Sequence, residues 1–247
     1  MKKTIKAILS VAFATAALAA GDLTIAFQSK GVGKGEGIET HYYSTTHHRT
    51  NNDVSKTDHL VDYQNLTSYT IDHGKKLIQK LTFEDAIAAL ESVSADMPEG
   101  MSAMMGGLFG DPSNCKVEEL GSEVVAGRKC KKYKITVGKL VFESSNDPAL
   151  IPPVPAASYA KMIKAQGALS AAMGPMGKSM AKLYEEMSKI KGLALKTHMT
   201  GFMGMNVATE ATKVTEGPIP ASVFALPAGY KTEDMGKQLK DPKSKKR

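Results

Sequence analysis

Leu23, Ile25 and Phe27 alternate with Thr24, Ala26 and Gln28 near the start of this 247-residue chain. Apolar side chains at every second position line one face of a strand and leave the other for water. Similar short runs return along the chain, each closed off by turn residues. A chain punctuated in this way folds around an antiparallel sheet rather than as a bundle of helices.

Gly31-Val32-Gly33-Lys34-Gly35-Glu36-Gly37 follows the first run. It has neither G-x-G-x-x-G nor a closing GK[ST], and a strand-like run follows it where a phosphate loop would open a helix. It reads as a hairpin connection. Thr40 to Arg49 is strand-like, as are Leu60 to Tyr63 and Ser68 to Ile71. Asp72-His73-Gly74-Lys75 supplies a turn, and Lys76 to Leu81 returns antiparallel. Thr82 is placed to cap a helix carrying Glu84 and Asp85 in its first turn, which Pro98 ends. Lys132 to Val137 and Leu140 to Ser144 are strands, and four prolines between 148 and 155 make an extended connector. Ser158 to Lys191 is helical with a break at Gly174-Pro175, and Leu193 to Thr200 and Asn206 to Val214 close the pattern. This order predicts an α+β protein, a mainly antiparallel sheet with helices packed against one face.

Upstream, Lys2, Lys3 and Lys6 precede an apolar stretch from Ala7 to Leu18, and Ala17-Leu18-Ala19 has the small-x-small form cut by signal peptidase. A spanning helix needs about 20 apolar residues. Residues 1–20 therefore read as a signal peptide cleaved near 19/20, and with no Cys near the cut the mature chain is expected to be soluble and not lipidated. The expected location is periplasmic or secreted, in a Gram-negative envelope. Residues 21–232 form one domain with helical insertions at about 82–97 and 158–191, and residues 233–247 form a basic, disordered tail.

The formal charge of +7 suggests nucleic acid until it is located. Without the leader, 29 basic residues face 25 acidic ones, and residues 237–247 alone hold six basic and one acidic. The body is near neutral, without the broad basic face that phosphates require. No nucleic-acid partner is expected, and the tail is suited to weak contact with an anionic membrane surface.

Export also changes the reading of Cys115 and Cys130. In an oxidising compartment they are expected to form a disulfide, worth roughly 3 kcal/mol for a loop of this length. Their spacing suits neither CxxC redox chemistry nor zinc. His41, His47 and His48 cluster in sequence, but along one extended strand His41 lies about 20 Å from His47, and His47 and His48 point to opposite faces. On that reading they do not share an ion, and neither metal ligands nor a cofactor is expected. His59, His73 and His198 show no ligand spacing. No G-x-S-x-G elbow or Cys-His signature is present, so the chain is not expected to be an enzyme and no catalytic residue is assigned.

Methionine is enriched, at 14 residues, while Trp is absent. Flexible thioethers fill cores, line adaptable apolar surfaces, or bind Cu(I). Met101, Met104, Met105, Met173 and Met180 are the expected lining of an apolar ligand site.

Two segments carry a family resemblance. Ile219 to Tyr230, IPASVFALPAGY, resembles the closing pattern P-x-S-x-F-x-x-P-x-G-Y of exported bacterial proteins related to the LolA/LolB lipoprotein carriers. Val125 to Tyr133, VAGRKCKKY, resembles their I-x-G-x-x-C-x-x-Y strand, and the match is nearest to an uncharacterised family of secreted domains in that superfamily. The resemblance implies an incomplete antiparallel β-barrel, a half-barrel around an apolar cavity, with helices across the open concave face. It implies a carrier of lipid or another hydrophobic ligand; beside it stand two other readings, a Cu(I)-binding protein using Met and His and an envelope protein-interaction module.

Overall fold

The computed structural model describes residues 21–30, 36–95, 113–158, 160–162, 165, 174–200 and 206–240. Its strands are β1 (Leu23–Lys30), β2 (Gly37–Tyr43), β3 (His47–Asn52), β4 (Thr57–Asp62), β5 (Thr67–Asp72), β6 (Leu77–Thr82), β7 (Cys115–Val125), β8 (Arg128–Val137), β9 (Leu140–Asp147), β10 (Leu193–Thr200), β11 (Asn206–Glu216) and β12 (Lys231–Asp234). The helices are α1 (Phe83–Ala95), α2 (Gly174–Lys189) and α3 (Met235–Lys240), with one 3-10 turn at Ala221–Phe224. All twelve strands join one open sheet in the order β12-β6-β5-β4-β3-β2-β1-β11-β10-β9-β8-β7. Every pairing is antiparallel except β6 with β12, which is parallel. The mainly antiparallel sheet expected from the sequence is present and open, and the protein is mainly β rather than α+β, with few short helices among the described residues.

A repeat of ten residues builds the meander from β3 to β6. Asn52, Asp62 and Asp72 each end a six-residue strand. Asn52 Oδ1 accepts the amides of Val54 and Ser55, and Asp62 Oδ1 those of Gln64 and Asn65; Asp72 Oδ1 accepts the Lys75 amide. Lys56, Leu66 and Lys76 then close the three turns at φ of 52°, 46° and 51°. Six strand residues and four turn residues make the period, because a short polar side chain at the strand end substitutes for a backbone acceptor. The same chemistry divides the expected strand Thr40–Arg49 in two. Ser44 Oγ accepts the His47 amide at 3.0 Å, and the chain reverses between β2 and β3.

Thr82 caps α1 as its position predicts, accepting the Asp85 amide at 3.1 Å while its hydroxyl donates to the Asp85 carboxylate at 2.7 Å. The helices sit apart: α1 and α3 lie beside β6, whereas α2 packs on β8 at the opposite end of the sheet. Among the described residues no helix is long and apolar enough to cross a membrane.

Among the described residues three apolar clusters hold the sheet. Leu183 of α2 joins Ile135, Val137 and Phe142. Leu60, Ile71 and Ile78 pack beneath Phe224 and Tyr230 of the C-terminal crossing segment. Leu23, Ile25 and Phe27 cluster with Val125, Cys130, Leu150 and Leu195. Fully burying one such side chain contributes about 1.5–3 kcal/mol. Ordered structure continues past residue 232, because Lys231–Asp234 pairs with β6 and Met235–Lys240 is helical. Residues 1–20, read from the sequence as a signal peptide, and residues 241–247 lie outside the described residues.

Candidate functional site

The end of the sheet holding β7 to β11 is rolled. β7 and β11 are four places apart in the sheet, a separation of about 19 Å if it were flat. Their Cα atoms nevertheless come within 8 Å of each other. Ion pairs bridge the roll between strands that share no ladder: Lys196 of β10 meets Glu123 of β7 at 3.4 Å, and Arg128 of β8 meets Glu216 of β11 at 2.9 Å. The sheet does not close, since no ladder joins β7 to β11.

A cavity of about 490 Å³ lies in this rolled end. Register decides its wall. Gln28, Glu210, Lys196, Ser145 and Lys132 stand opposite one another across β1, β11, β10, β9 and β8. Lys30, Ala208, His198 and Glu143 form the next row. Directly opposed residues in a ladder share a face, and all of these line the cavity.

The charges on this wall neutralise one another. Lys196 Nζ reaches Glu210 at 3.2 Å as well as Glu123, and Lys132 reaches Glu143 at 3.0 Å. The Ser145 hydroxyl donates to Glu123. That hydrogen bond, with help from Lys196, holds the Glu123 carboxyl below its usual range, and the hydrogen bond to Glu210 first of all raises Lys196. Between the charges lie Ala208, Thr209, Ala211 and Thr212. The wall offers a ligand both donors and acceptors over an aliphatic floor. Its volume falls within the range of about 300–1,000 Å³ that small-molecule sites occupy.

None of the methionines expected to line a site is seen in this wall. Met101, Met104, Met105 and Met173 lie outside the described residues. Met180 belongs to α2, but its side chain lies outside the described residues. The cavity residues carried one signal in the sequence, polar or charged side chains at alternate positions of two successive strands, Glu143 and Ser145, then Lys196 and His198, with Lys132 and Glu210 on the strands that flank them.

The expected disulfide is corrected. Both cysteines are free thiols. In the β7–β8 hairpin Cys115 lies opposite Val137 and Cys130 opposite Glu123. Val137 stands seven positions along β8 from Cys130, about 23 Å at ~3.3 Å per residue. A disulfide needs Cα atoms within about 7 Å. Cys115 packs beside Ile135 and Leu183, and Cys130 among Val125 and Leu195. Burial foremost raises both thiols above their ordinary pKa.

The reading of the histidines is also corrected. Because the chain turns between β2 and β3, His41 and His48 meet: His48 Nε2 lies 3.2 Å from His41 Nδ1. Tyr43 stacks on His48 with centroids 4.3 Å apart, and its hydroxyl is 3.2 Å from His41 Nδ1. Burial, and secondarily His41, pushes the His48 imidazole down to about 3. Among the described residues no group of three or more His, Cys, Asp or Glu is arranged to hold a metal ion.

A mainly β protein with an open, partly rolled sheet and a charge-compensated cavity is the class these features define. Residues 101–230, more than half of the chain, match the family described as Domain of unknown function (DUF4412), and the chain belongs to that family. No curated protein matches it. Among solved structures it is similar to PNGF-II, at 13% identity and a TM-score of 0.42, with 89% of this chain and 32% of that one covered. An uncharacterized conserved protein from Thermus thermophilus gives 7% identity and a TM-score of 0.46 over 87% of this chain and 91% of that one. The Pseudomonas aeruginosa MucA/MucB complex gives 11% identity and a TM-score of 0.43, over 85% of this chain and 57% of that one. The chain therefore spans about a third of PNGF-II and little more than half of the MucA/MucB match.

Proposed function

We propose that this is an exported, non-enzymatic binding protein of the bacterial envelope, a half-barrel that holds an amphipathic small molecule of the lipid class in the rolled end of its sheet. The observation that carries the reading is the cavity of about 490 Å³ whose wall alternates paired Lys and Glu with Ala and Thr. The leader supports export, and the absence of a nucleophile motif in the sequence supports binding rather than turnover. The charged rows narrow the ligand expected from the sequence. A wholly apolar chain would strand the hydrogen-bonding capacity of Lys196, Glu210 and Lys132, whereas a polar group on the ligand satisfies it. An apolar portion then covers Ala208 and Ala211.

Native mass spectrometry of gently purified protein, together with uptake of a fluorescent fatty acid, tests the proposal. The expected result is one ligand or probe per chain, displaced in Ala208→Trp, where the indole fills the cavity. An empty wild-type protein that takes up no probe, or an Ala208→Trp variant that binds as well as wild type, overturns it.

A further inference from the structure

We propose that His41, His48 and Tyr43 form a binding site for a transition-metal ion of the imidazole-preferring kind, Cu²⁺ or Zn²⁺, outside the cavity. His41 lies across from Ile25 on β1 and its ring meets Phe27 edge-on at 4.9 Å, whereas the neighbouring Gln28 points into the cavity.

The donor atoms are already spaced as ligands. Tyr43 Oη and His48 Nε2 each stand 3.2 Å from His41 Nδ1, and Thr50 Oγ1 stands 3.3 Å from His48 Nε2. Ligands bound tetrahedrally at ~2.0 Å lie about 3.3 Å from one another. The two imidazole nitrogens and the Tyr43 oxygen supply three positions, and the fourth is left to water held by Thr50.

A carboxylate stands behind the first imidazole and favours one of its tautomers. Glu39 Oε2 lies 3.6 Å from His41 Nε2, and Asn52 Nδ2 donates to Glu39 Oε1 at 2.7 Å. With Nε2 protonated towards Glu39, Nδ1 is bare and faces His48 and Tyr43. This carboxylate–imidazole pairing is the support that metal-binding histidines commonly have.

In that tautomer, and without an ion, the cluster is over-determined. If His48 Nε2 carries a proton, it competes with the Tyr43 hydroxyl for the single lone pair of His41 Nδ1. If it does not, two lone pairs face each other at 3.2 Å. A cation accepts from both nitrogens at once and removes either conflict. The aromatic wall of Phe27 and Tyr43 shields the ion from water on that side.

The test uses the full mature protein, stripped with chelator and titrated with CuSO₄ or ZnSO₄ against a competing chromophoric chelator. One ion per chain is expected, with a Cu²⁺ paramagnetic resonance spectrum showing coupling to two imidazole nitrogens. His48→Phe and His41→Phe keep a ring in place and are expected to lose binding by at least about 100-fold. Glu39→Gln, acting through His41, is expected to lose about 10–100-fold, while His59→Ala binds as wild type. Wild-type protein that takes up no stoichiometric ion overturns the proposal whether or not the variants fold, and so does binding undiminished in His48→Phe and His41→Phe.

Discussion

Arg49 and Asp58, on neighbouring strands β3 and β4, form an ion pair at 2.5 Å in which both side chains are at least nine-tenths buried. The remaining guanidinium donors reach Val223 O at 2.7 Å, Ala225 O at 3.1 Å and Asn51 Oδ1 at 2.9 Å. Asp58 also receives His73 Nε2 at 2.9 Å, and the other nitrogen of that ring meets the Tyr230 hydroxyl at 3.0 Å. The closing segment from Ile219 to Tyr230 is thereby tied across the meander at two points. It then delivers Lys231–Asp234 to its parallel place beside β6.

Removing the guanidinium leaves Asp58 buried beside a partly satisfied carbonyl pair. Arg49→Met is expected to lower unfolding stability by about 3–5 kcal/mol and to open the segment 219–234 to protease. Urea unfolding and limited proteolysis measure the two effects. A loss below ~1 kcal/mol with unchanged proteolysis would show that the segment is held by Phe224 and Tyr230 packing alone.

The separation of Cys115 and Cys130 gives a direct assay. Denatured but unreduced protein is expected to react with two equivalents of a thiol reagent, and a reductant is expected to leave the thermal midpoint unchanged. Zero reactive thiols in a monomer would require a β7–β8 register different from the one described.

Gly192 precedes β10 at φ 85°, and a Cβ there would run into the backbone carbonyl of Asp147. Gly127, at φ 76° in the β7–β8 turn, has open space around it. Gly192→Ala is expected to cost about 2 kcal/mol or more, while Gly127→Ala costs only the left-handed backbone penalty of ~1–2 kcal/mol. Equal losses in parallel denaturation curves would contradict the close approach at Gly192.

Glu123 sets a pH dependence whose sign follows from its depressed pKa. The folded state holds the carboxylate more tightly ionised than the unfolded chain does, through Ser145 first and Lys196 second. Its contribution is full above the ordinary glutamate pKa of 4.5 and is lost as pH falls through the lower folded value. Ser145→Ala removes the main cause, so the decline in stability between about pH 5 and pH 3 is expected to be shallower than in wild type. Parallel slopes for the two proteins would remove Glu123 as a contributor.

Local chemistry specifies many elements without any tertiary contact. Leu23, Ile25 and Phe27 alternate because a pleat does, and all three are buried in β1. Thr82 caps α1 through its own hydroxyl. The ten-residue spacing of Asn52, Asp62 and Asp72 is equally present as a signal, because each turn is closed by a side chain two or three residues away.

Register and rolling are decided elsewhere. A hairpin brings His41 to His48, though a linear count along one strand keeps them apart, and the ladder that pairs Cys115 with Val137 carries Cys130 away. Lys196 finds Glu123 only because the sheet curls across strands distant in sequence. By itself the sequence determined the strands, the cap and the turns, since those depend on neighbours along the chain. Which face each strand buries, which residues meet across it and where a cavity opens depend on long-range pairing, and only the tertiary structure decided them.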